Sequence, residues 1–270
     1  MKRGARLVLV ALVAASPACK RREPRLDAAA PSPVDARRDP APPGKAEGPL
    51  PACDKNPVLA RSLEKLLKVK PNEWGARPGR FPDPACAVVA VAGENCLETP
   101  DEADDAAMVP RRLVGVMDPV TGALRAGKVE ELSGLGEACF SSESISAVLD
   151  LDGDGTDELV TRASSSHHAE NLDSATVLQV RKKRVSRVGW IPISYDAVGR
   201  GDEEPEPSCV GSLSVIPAGA EGGPALELKA SLDGKGELTE DQCLPGHRRF
   251  RLAGGKLAGT KVAAKSTSQK

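Results

Sequence analysis

Aromatic side chains are scarce in this chain of 270 residues, which has three Phe, two Trp and one Tyr. Stacking surfaces for nucleic-acid bases or for sugars therefore have few side chains to form them. An excess of charge of one sign is lacking too, because 37 Lys and Arg nearly balance 38 Asp and Glu. The bulk charge thus gives no support for nucleic-acid binding. Only three histidines are present, and no apolar run after residue 15 is long enough to cross a membrane.

The N-terminus of the chain has a basic segment that is followed by an apolar segment. Lys2, Arg3 and Arg6 precede an apolar run at residues 7–15. This run is shorter than the roughly 20 residues that a bilayer span requires. It has the length of the apolar segment of a signal peptide. We therefore expect residues 1–18 to be a signal peptide.

The residues that follow this run are Ser16-Pro17-Ala18-Cys19. They resemble the lipobox of bacterial lipoproteins, in which the cysteine is diacylated and becomes the first residue of the mature chain. The resemblance implies a palmitate-type lipid on Cys19 and a location in the bacterial cell envelope, and Lys20 favours the outer membrane over the inner one. The alternative is ordinary secretion, which would give a soluble secreted or periplasmic protein.

Residues 19–52 are expected to be the lipidated cysteine and a disordered tether. Lys20 to Ala52 contains eight prolines in 33 residues, with alanines and mixed charges between them. Such a segment has little apolar surface to offset the entropy lost on ordering, and its prolines favour an extended polyproline II conformation. We predict one β-rich globular domain over residues 53–260 and a disordered tail at 261–270.

One helix and about eight short strands are predicted in this domain. Asn56 suits a helix N-cap, and leucines at helical spacing follow from Leu59 until Pro71 ends the pattern. Residues 72–84 are rich in Pro and Gly and predict a loop. Apolar, β-branched runs predict strands at 87–92, 112–117, 144–149, 159–163, 176–188 (a hairpin), 210–216, 225–230 and 248–252. Their spacing predicts a mainly β fold, either an antiparallel β-sandwich, a meander or a partial propeller-like domain, with one short N-terminal helix.

Six cysteines remain after Cys19, and an exported protein is expected to oxidise them to disulfides. They are Cys53, Cys86, Cys96, Cys139, Cys209 and Cys243. Their spacings do not match a zinc site, so we expect a disulfide-stapled domain. The sequence leaves several pairings open, and the preferred pairs are Cys86–Cys96, Cys209–Cys243 and Cys53–Cys139.

The segment from residue 150 to residue 159 carries the clearest chemistry. Three aspartates alternate with other residues, and two glycines permit the backbone angles that bring the carboxylates to one side of a tight loop. The Thr156 carbonyl and the Glu158 carboxylate would complete a shell of hard oxygen ligands, which suits Ca²⁺. The candidate metal ligands are Asp150, Asp152, Asp154, Thr156 and Glu158.

This segment resembles the calcium loop of FG-GAP and VCBS repeats, the propeller family in which a strand enters D-x-[DN]-G-D-G-x-x-[DE]-L and another strand follows. The resemblance implies the same five ligands, with Leu159 entering the core and Asp157 facing solvent or lying behind the ligands. It occurs once here, whereas propellers repeat the unit. An EF-hand fits less well, because Thr161 takes the place of the final Glu. The alternative is an Asp- and Gly-rich turn without metal.

Together these features predict a lipid-anchored cell-envelope protein with a non-enzymatic binding or structural role. Its Ca²⁺-stabilised β domain would present loops to an envelope protein or polysaccharide, and no nucleic acid is expected as a partner. An envelope hydrolase that uses His167 or His168 with nearby carboxylates is the alternative. It requires these histidines to meet an acid or His247 in a cleft.

Overall fold

The computed structural model describes residues 49–81, 83–92, 111–131, 139–167, 170–197, 207–219, 223–234 and 236–263. All of them belong to one compact unit, Ala41–Lys270. This described part is mainly β, as the sequence predicts, and contains one helix and twelve strands in two antiparallel sheets. The predicted signal peptide, the lipidation site Cys19 and most of the predicted tether and tail lie outside the described residues.

Helix α1 (Pro57–Leu67) begins where the sequence predicts. The Asn56 side chain accepts hydrogen bonds from the amides of Val58 and Leu59 at 2.9 and 3.3 Å, which satisfies two donors of the first turn. The leucine stripe is buried at Leu59, Leu63 and Leu67. Within the described ranges, no helix has both the length and the apolar character needed to cross a membrane.

The smaller sheet is a four-stranded meander on which α1 packs. Its strands are β1 (Glu73–Phe81), β2 (Asp83–Ala92), β3 (Arg111–Met117) and β4 (Leu124–Glu131). Strand β1 shows that the prediction of a loop over residues 72–84 was wrong. Its Pro and Gly residues are tolerated because β1 is an edge strand. Gly79 also leaves room for the second sheet, since a Cβ there would lie 2.5 Å from Cγ1 of Val148.

The larger sheet has eight strands, each antiparallel to its neighbours and arranged in chain order. We call its first four strands the near half and its last four the far half. The near half is β5 (Cys139–Leu149), β6 (Glu158–His167), β7 (Glu170–Arg181) and β8 (Arg184–Ala197). The far half is β9 (Ser208–Ile216), β10 (Ala225–Asp233), β11 (Gly246–Ala253) and β12 (Lys256–Lys261). Strands β4 and β12 are absent from the sequence prediction.

The far half folds back on the near half. Gly189 of β8 lies so close to β12 that a Cβ there would be 2.3 Å from the Cβ of Leu257, although three strands separate β8 from β12 in the sheet order. Where the two halves meet, the described residues of β8 and β9 have one registered pair, Tyr195 and Cys209.

The near half is buried on both of its faces, because it lies between the smaller sheet and the far half. On β6, Leu159 belongs to the apolar cluster shared with the smaller sheet, and the next residue, Val160, belongs to the cluster shared with the far half. Successive strand residues face opposite sides of a sheet, so both are fully buried. The described strands therefore form an open arrangement of meanders and not a closed barrel.

Two disulfides staple the described residues. Cys209–Cys243 confirms the sequence prediction, whereas Cys53 pairs with Cys86. The preferred pairs Cys86–Cys96 and Cys53–Cys139 were therefore wrong. The reason lies in the faces of β2, because Cys86 shares with Cys53 the apolar cluster under α1. Cys96 and the side chain of Cys139 lie outside the described residues.

Candidate metal centre

The loop between β5 and β6 is organised around one carboxylate. The Asp150 side chain accepts hydrogen bonds from the backbone amides of Gly153, Asp154 and Gly155 at 2.7, 3.1 and 2.8 Å. Gly153 and Gly155 have φ values of 76° and 87°, a region that glycine enters without steric penalty. The Asp- and Gly-rich sequence therefore folds into a tight turn, as the spacing predicts.

Three acidic side chains converge in this turn. Asp150, Asp152 and Glu158 each offer one carboxylate oxygen, and the three oxygens lie within 4.8 Å of one another. Glu158 is fully buried at the start of β6. Three carboxylates held this close repel one another unless a proton or a cation is shared among them. The cluster could hold a metal ion, and its oxygen donors are of the kind that hard cations prefer.

Glu158 is held in place by two other groups. The Leu151 amide donates to its Oε2 at 2.8 Å, and the Gln179 amide nitrogen donates to its Oε1 at 3.2 Å. Burial raises the pKa of Glu158 to about 7, and the negative charge of Asp152 acts in the same direction. Burial, with the charge of Asp154, also raises the pKa of Asp152. Both shifts arise from poor solvation and from the closeness of other carboxylates, and both favour the protonated form of the carboxyl group.

Not every predicted ligand joins this group. Asp154 is outside the three that converge, and its carboxylate instead accepts a hydrogen bond from the Thr156 amide at 2.8 Å. A role for Asp154 or for the Thr156 carbonyl as a ligand therefore stays a prediction.

Asp157 connects this turn to the smaller sheet. Its amide donates to the Arg80 carbonyl, and its carboxylate accepts from the Arg80 amide, each at 2.8 Å. Arg80 lies on β1, so the turn joins the edge of the smaller sheet to the near half. The next residues, Glu158 and Leu159, enter the core between the sheets. Asp157 thus bonds to the smaller sheet, and a place behind the metal ligands stays a prediction.

Gln179 is a residue of the site that sequence reasoning missed. It is buried on β7 and donates to both Glu158 and Asp152, at 3.2 and 3.4 Å. Its signal in the sequence is a single amide inside the apolar run Thr176-Val177-Leu178-Gln179-Val180. A buried polar side chain needs a partner, but only the register of β6 with β7 shows that the partner is Glu158.

The described residues do not test the histidines of the alternative hydrolase. His167 ends β6, and its side chain, with all of His168, lies outside the described residues. His247 lies on β11, and four strands separate β11 from β6 in the sheet order. Its Nε2 is 2.7 Å from Oε1 of Glu227, and this interaction is the main cause that lowers the pKa of Glu227.

Comparison of the chain with protein-family models, with curated proteins and with solved structures finds no match in any of the three. The lipobox and the calcium-loop resemblances therefore stay predictions from the sequence.

Proposed function

We propose that this chain is a lipid-anchored, non-enzymatic protein of the bacterial cell envelope, whose β domain is stabilised by Ca²⁺ and serves in binding or structure. The observation that carries the proposal is the convergence of Asp150, Asp152 and Glu158 in a turn that also bonds to β1. An ion bound by these oxygens would fix the junction of the two sheets. This is a structural use of a metal.

Calcium is the cation that fits this donor set best. The three converging groups are carboxylates, and Ca²⁺ accepts six to eight oxygens in flexible geometry, whereas Mg²⁺ demands a strict octahedron and retains its water. We expect the Thr156 carbonyl to contribute a further oxygen to such a shell. A single site outside the cytosol commonly binds with a dissociation constant of about 10⁻⁴ to 10⁻³ M.

The envelope location is supported by two features. The N-terminal segment that ends at Cys19 resembles a lipoprotein signal, and the disulfides Cys53–Cys86 and Cys209–Cys243 are typical of proteins that fold in an oxidising compartment. Mass spectrometry of the mature N-terminus tests the anchor. We expect a diacylated Cys19, and the variant C19A should move from the membrane fraction to the soluble fraction. An unmodified Cys19 would reject the anchor.

The calcium proposal is tested by thermal unfolding in 5 mM Ca²⁺ and in EDTA. With a dissociation constant near 10⁻⁴ M, Ca²⁺ should stabilise the protein by about 2 kcal/mol, which corresponds to a rise in Tm of roughly 5 °C for a domain of this size. The variant D152N should lose this rise. A suitable control is D233N, because Asp233 also precedes a glycine in an exposed turn but lies at the end of β10.

The control should respond to Ca²⁺ as the wild-type protein does. Equal Tm values in Ca²⁺ and EDTA would leave the turn as a metal-free Asp- and Gly-rich connection. A comparison of D152N with D154N then assigns the ligands, because Asp154 lies outside the group of converging oxygens.

A further inference from the structure

A cationic cleft lies between the smaller sheet and the near half, apart from the acidic turn. Strands β3 and β4 form one wall, strands β7 and β8 form the other, and the cavity measures about 530 Å³. Among its lining residues five are basic and one is acidic: Arg112, Lys128, Lys183, Arg184, Arg187 and Glu130. A concave site that concentrates one sign of charge attracts ligands of the opposite sign, although the chain as a whole is nearly neutral.

Two of these basic residues are already engaged by acids. The Arg112 guanidinium donates to Oε1 of Glu143 at 2.6 Å, and Nζ of Lys128 is 3.0 Å from Oε1 of Glu130. The other three are Lys183, Arg184 and Arg187, all of them exposed. Within the described part of the chain, no carboxylate lies within 4.0 Å of any of the three. No carboxylate among the described residues therefore offsets their charge directly.

The hairpin that carries this charge is unfavourable for local stability. Arg181 and Arg184 are direct partners across β7 and β8, and like charges placed opposite each other destabilise a sheet. Between them, Lys182 has a φ of 57°, a conformation that favours glycine. The hairpin has four successive basic residues at positions 181–184. One of them, Arg181, is close enough to Asp152 for its positive charge to favour the ionised form of that carboxyl group. Departures from local preference are expected at functional sites.

A smaller cavity of about 250 Å³ continues the cleft along the same wall. The two cavities share Arg112, Thr176 and Arg187. The smaller one adds Trp190, the hydroxyl-bearing residues Ser142 and Ser174, and two acidic residues, Glu73 and Glu143, of which Glu143 is paired with Arg112. An indole combines a large apolar face with a polar edge, and hydroxyl groups both donate and accept hydrogen bonds. A ligand that spans both cavities would therefore meet cations in the larger cavity, and an aromatic ring, hydroxyls and carboxylates in the smaller one, so its negative charge belongs in the larger cavity.

We propose that this cleft binds an acidic oligosaccharide, with Lys183, Arg184 and Arg187 binding carboxylates of uronic-acid units and Trp190 contacting a sugar ring. The guanidinium groups suit carboxylates because their paired donors match the two oxygens. A concave site between two sheets fits a chain of sugars better than the flat surface of an anionic membrane. The proposal rests on the binding role proposed above and names its ligand class.

The test is isothermal titration calorimetry with hexasaccharides of galacturonic acid and mannuronic acid, and with maltohexaose as the neutral probe. All proteins carry C19S, so that a lipid at this position cannot contribute to binding. We expect the acidic probes to bind and the neutral probe to bind at least about tenfold more weakly. The variant R184S/R187S should also weaken acidic binding about tenfold, because it removes two charge-assisted contacts.

The matched control is K256S/K261S. It removes the same charge from exposed positions on β12 that line neither cavity, and it should leave binding unchanged. Fluorescence supplies a second readout. In W74F the indole of Trp190 is the chain's one remaining tryptophan, and its emission should change on addition of the acidic hexasaccharide. Equal effects of the two double variants would assign binding to general charge and overturn the proposal.

Two further outcomes would also overturn it. One is binding to neither acidic probe, and the other is binding to phosphatidylglycerol vesicles, with loss in R184S/R187S, in the absence of oligosaccharide binding. Each titration is repeated in Ca²⁺ and in EDTA. A protein that keeps its Ca²⁺-dependent Tm but binds no acidic probe rejects this inference alone, whereas oligosaccharide binding without any Ca²⁺ response rejects only the calcium part of the proposed function.

Discussion

The domain contains two internal junctions that are held by different chemistry. Where the smaller sheet meets the near half, the turn of Asp150, Asp152 and Glu158 bonds to Arg80 through Asp157. Where the near half meets the far half, Cys209 of β9 pairs with Tyr195 of β8 and forms a disulfide with Cys243, which lies between β10 and β11. This disulfide therefore lies within the far half, beside the junction, and each junction also has an apolar cluster.

The difference determines how each junction responds to its surroundings. A buried group of carboxylates changes its energy with pH and with bound cations, whereas a disulfide responds only to the redox conditions. The sheet-to-sheet junction is thus expected to be adjustable, and the junction between the halves is expected to be constant outside the cytosol. Three predictions test this contrast.

The largest effect is expected from removal of the disulfide beside the second junction. Cys209 and Cys243 are 34 residues apart, and loop-closure entropy for this separation predicts a loss of about 4 kcal/mol in C209S/C243S. Urea unfolding measures the total loss, and amide exchange shows its location. We expect the amides of β9 to β12 to exchange faster than those of the smaller sheet.

The matched control for this variant is C53S/C86S. Its cysteines are 33 residues apart, so the loop-closure term is nearly the same, but the disulfide ties the segment before α1 to β2 and lies beside neither junction. Faster exchange should then be confined to α1 and the smaller sheet. An equal spread of exchange in both variants would show that the Cys209–Cys243 disulfide has no special role at the fold of the larger sheet.

The next effect is a pH dependence that belongs to the acidic junction. Burial raises the pKa of Glu158 to about 7 from a usual value of 4.5, so the folded protein retains a proton that the unfolded chain loses. Stability in EDTA should therefore fall as the pH rises from 4.5 to 7, by about 3 kcal/mol in total, and then level off. Saturating Ca²⁺ should abolish this fall, because the ion favours the ionised carboxylate.

Measurement of Tm between pH 5 and pH 8 tests this expectation, with E158Q as the control. The glutamine can still accept a hydrogen bond from the Leu151 amide but cannot ionise. Because E158Q keeps the histidines, the difference between the two proteins removes any contribution of the histidines to the pH dependence. Asp118, Asp173 and Glu227 have lowered pKa values, so they titrate below this window. A slope in E158Q as steep as that of the wild-type protein would place the pH dependence elsewhere.

The sequence predicted the fold class because the strands are short, apolar and separated by turn residues. It missed β1, since Pro78 and Gly79 indicate a loop unless the strand is known to lie at an edge. It also mispaired Cys86, because β2 is buried on both faces and its side chains show no alternation of polar and apolar residues. Which face carries the cysteine depends on the position of α1, and the sequence pattern does not contain that information.

The acidic turn, like the fold, could be predicted from the sequence only in part. Spacing and glycines brought Asp150, Asp152 and Glu158 to one place, because that information is local. The partners Gln179 and Arg80 are 21 and 77 residues away from the residues they contact. Only the arrangement of the strands in the folded domain places them next to the turn. The cationic cleft was missed for the same reason, since its two walls come from different sheets.

The smallest effect is expected from D157N, which tests whether the acidic turn acts across the sheet-to-sheet junction. The change weakens the hydrogen bond from the Arg80 amide, and we expect a loss of about 1 kcal/mol. The control D118N weakens a carboxylate that accepts the Val120 and Thr121 amides in the turn after β3 and that also pairs with Arg125, so its loss should be at least as large. In the wild-type protein and in D118N, Ca²⁺ should slow amide exchange in β1. In D157N this slowing should be smaller, because the bond from the Arg80 amide is weakened and only the backbone bond to the Arg80 carbonyl is unchanged. An equal slowing of β1 in D157N would instead mean that the apolar cluster between the sheets transmits the effect of the ion.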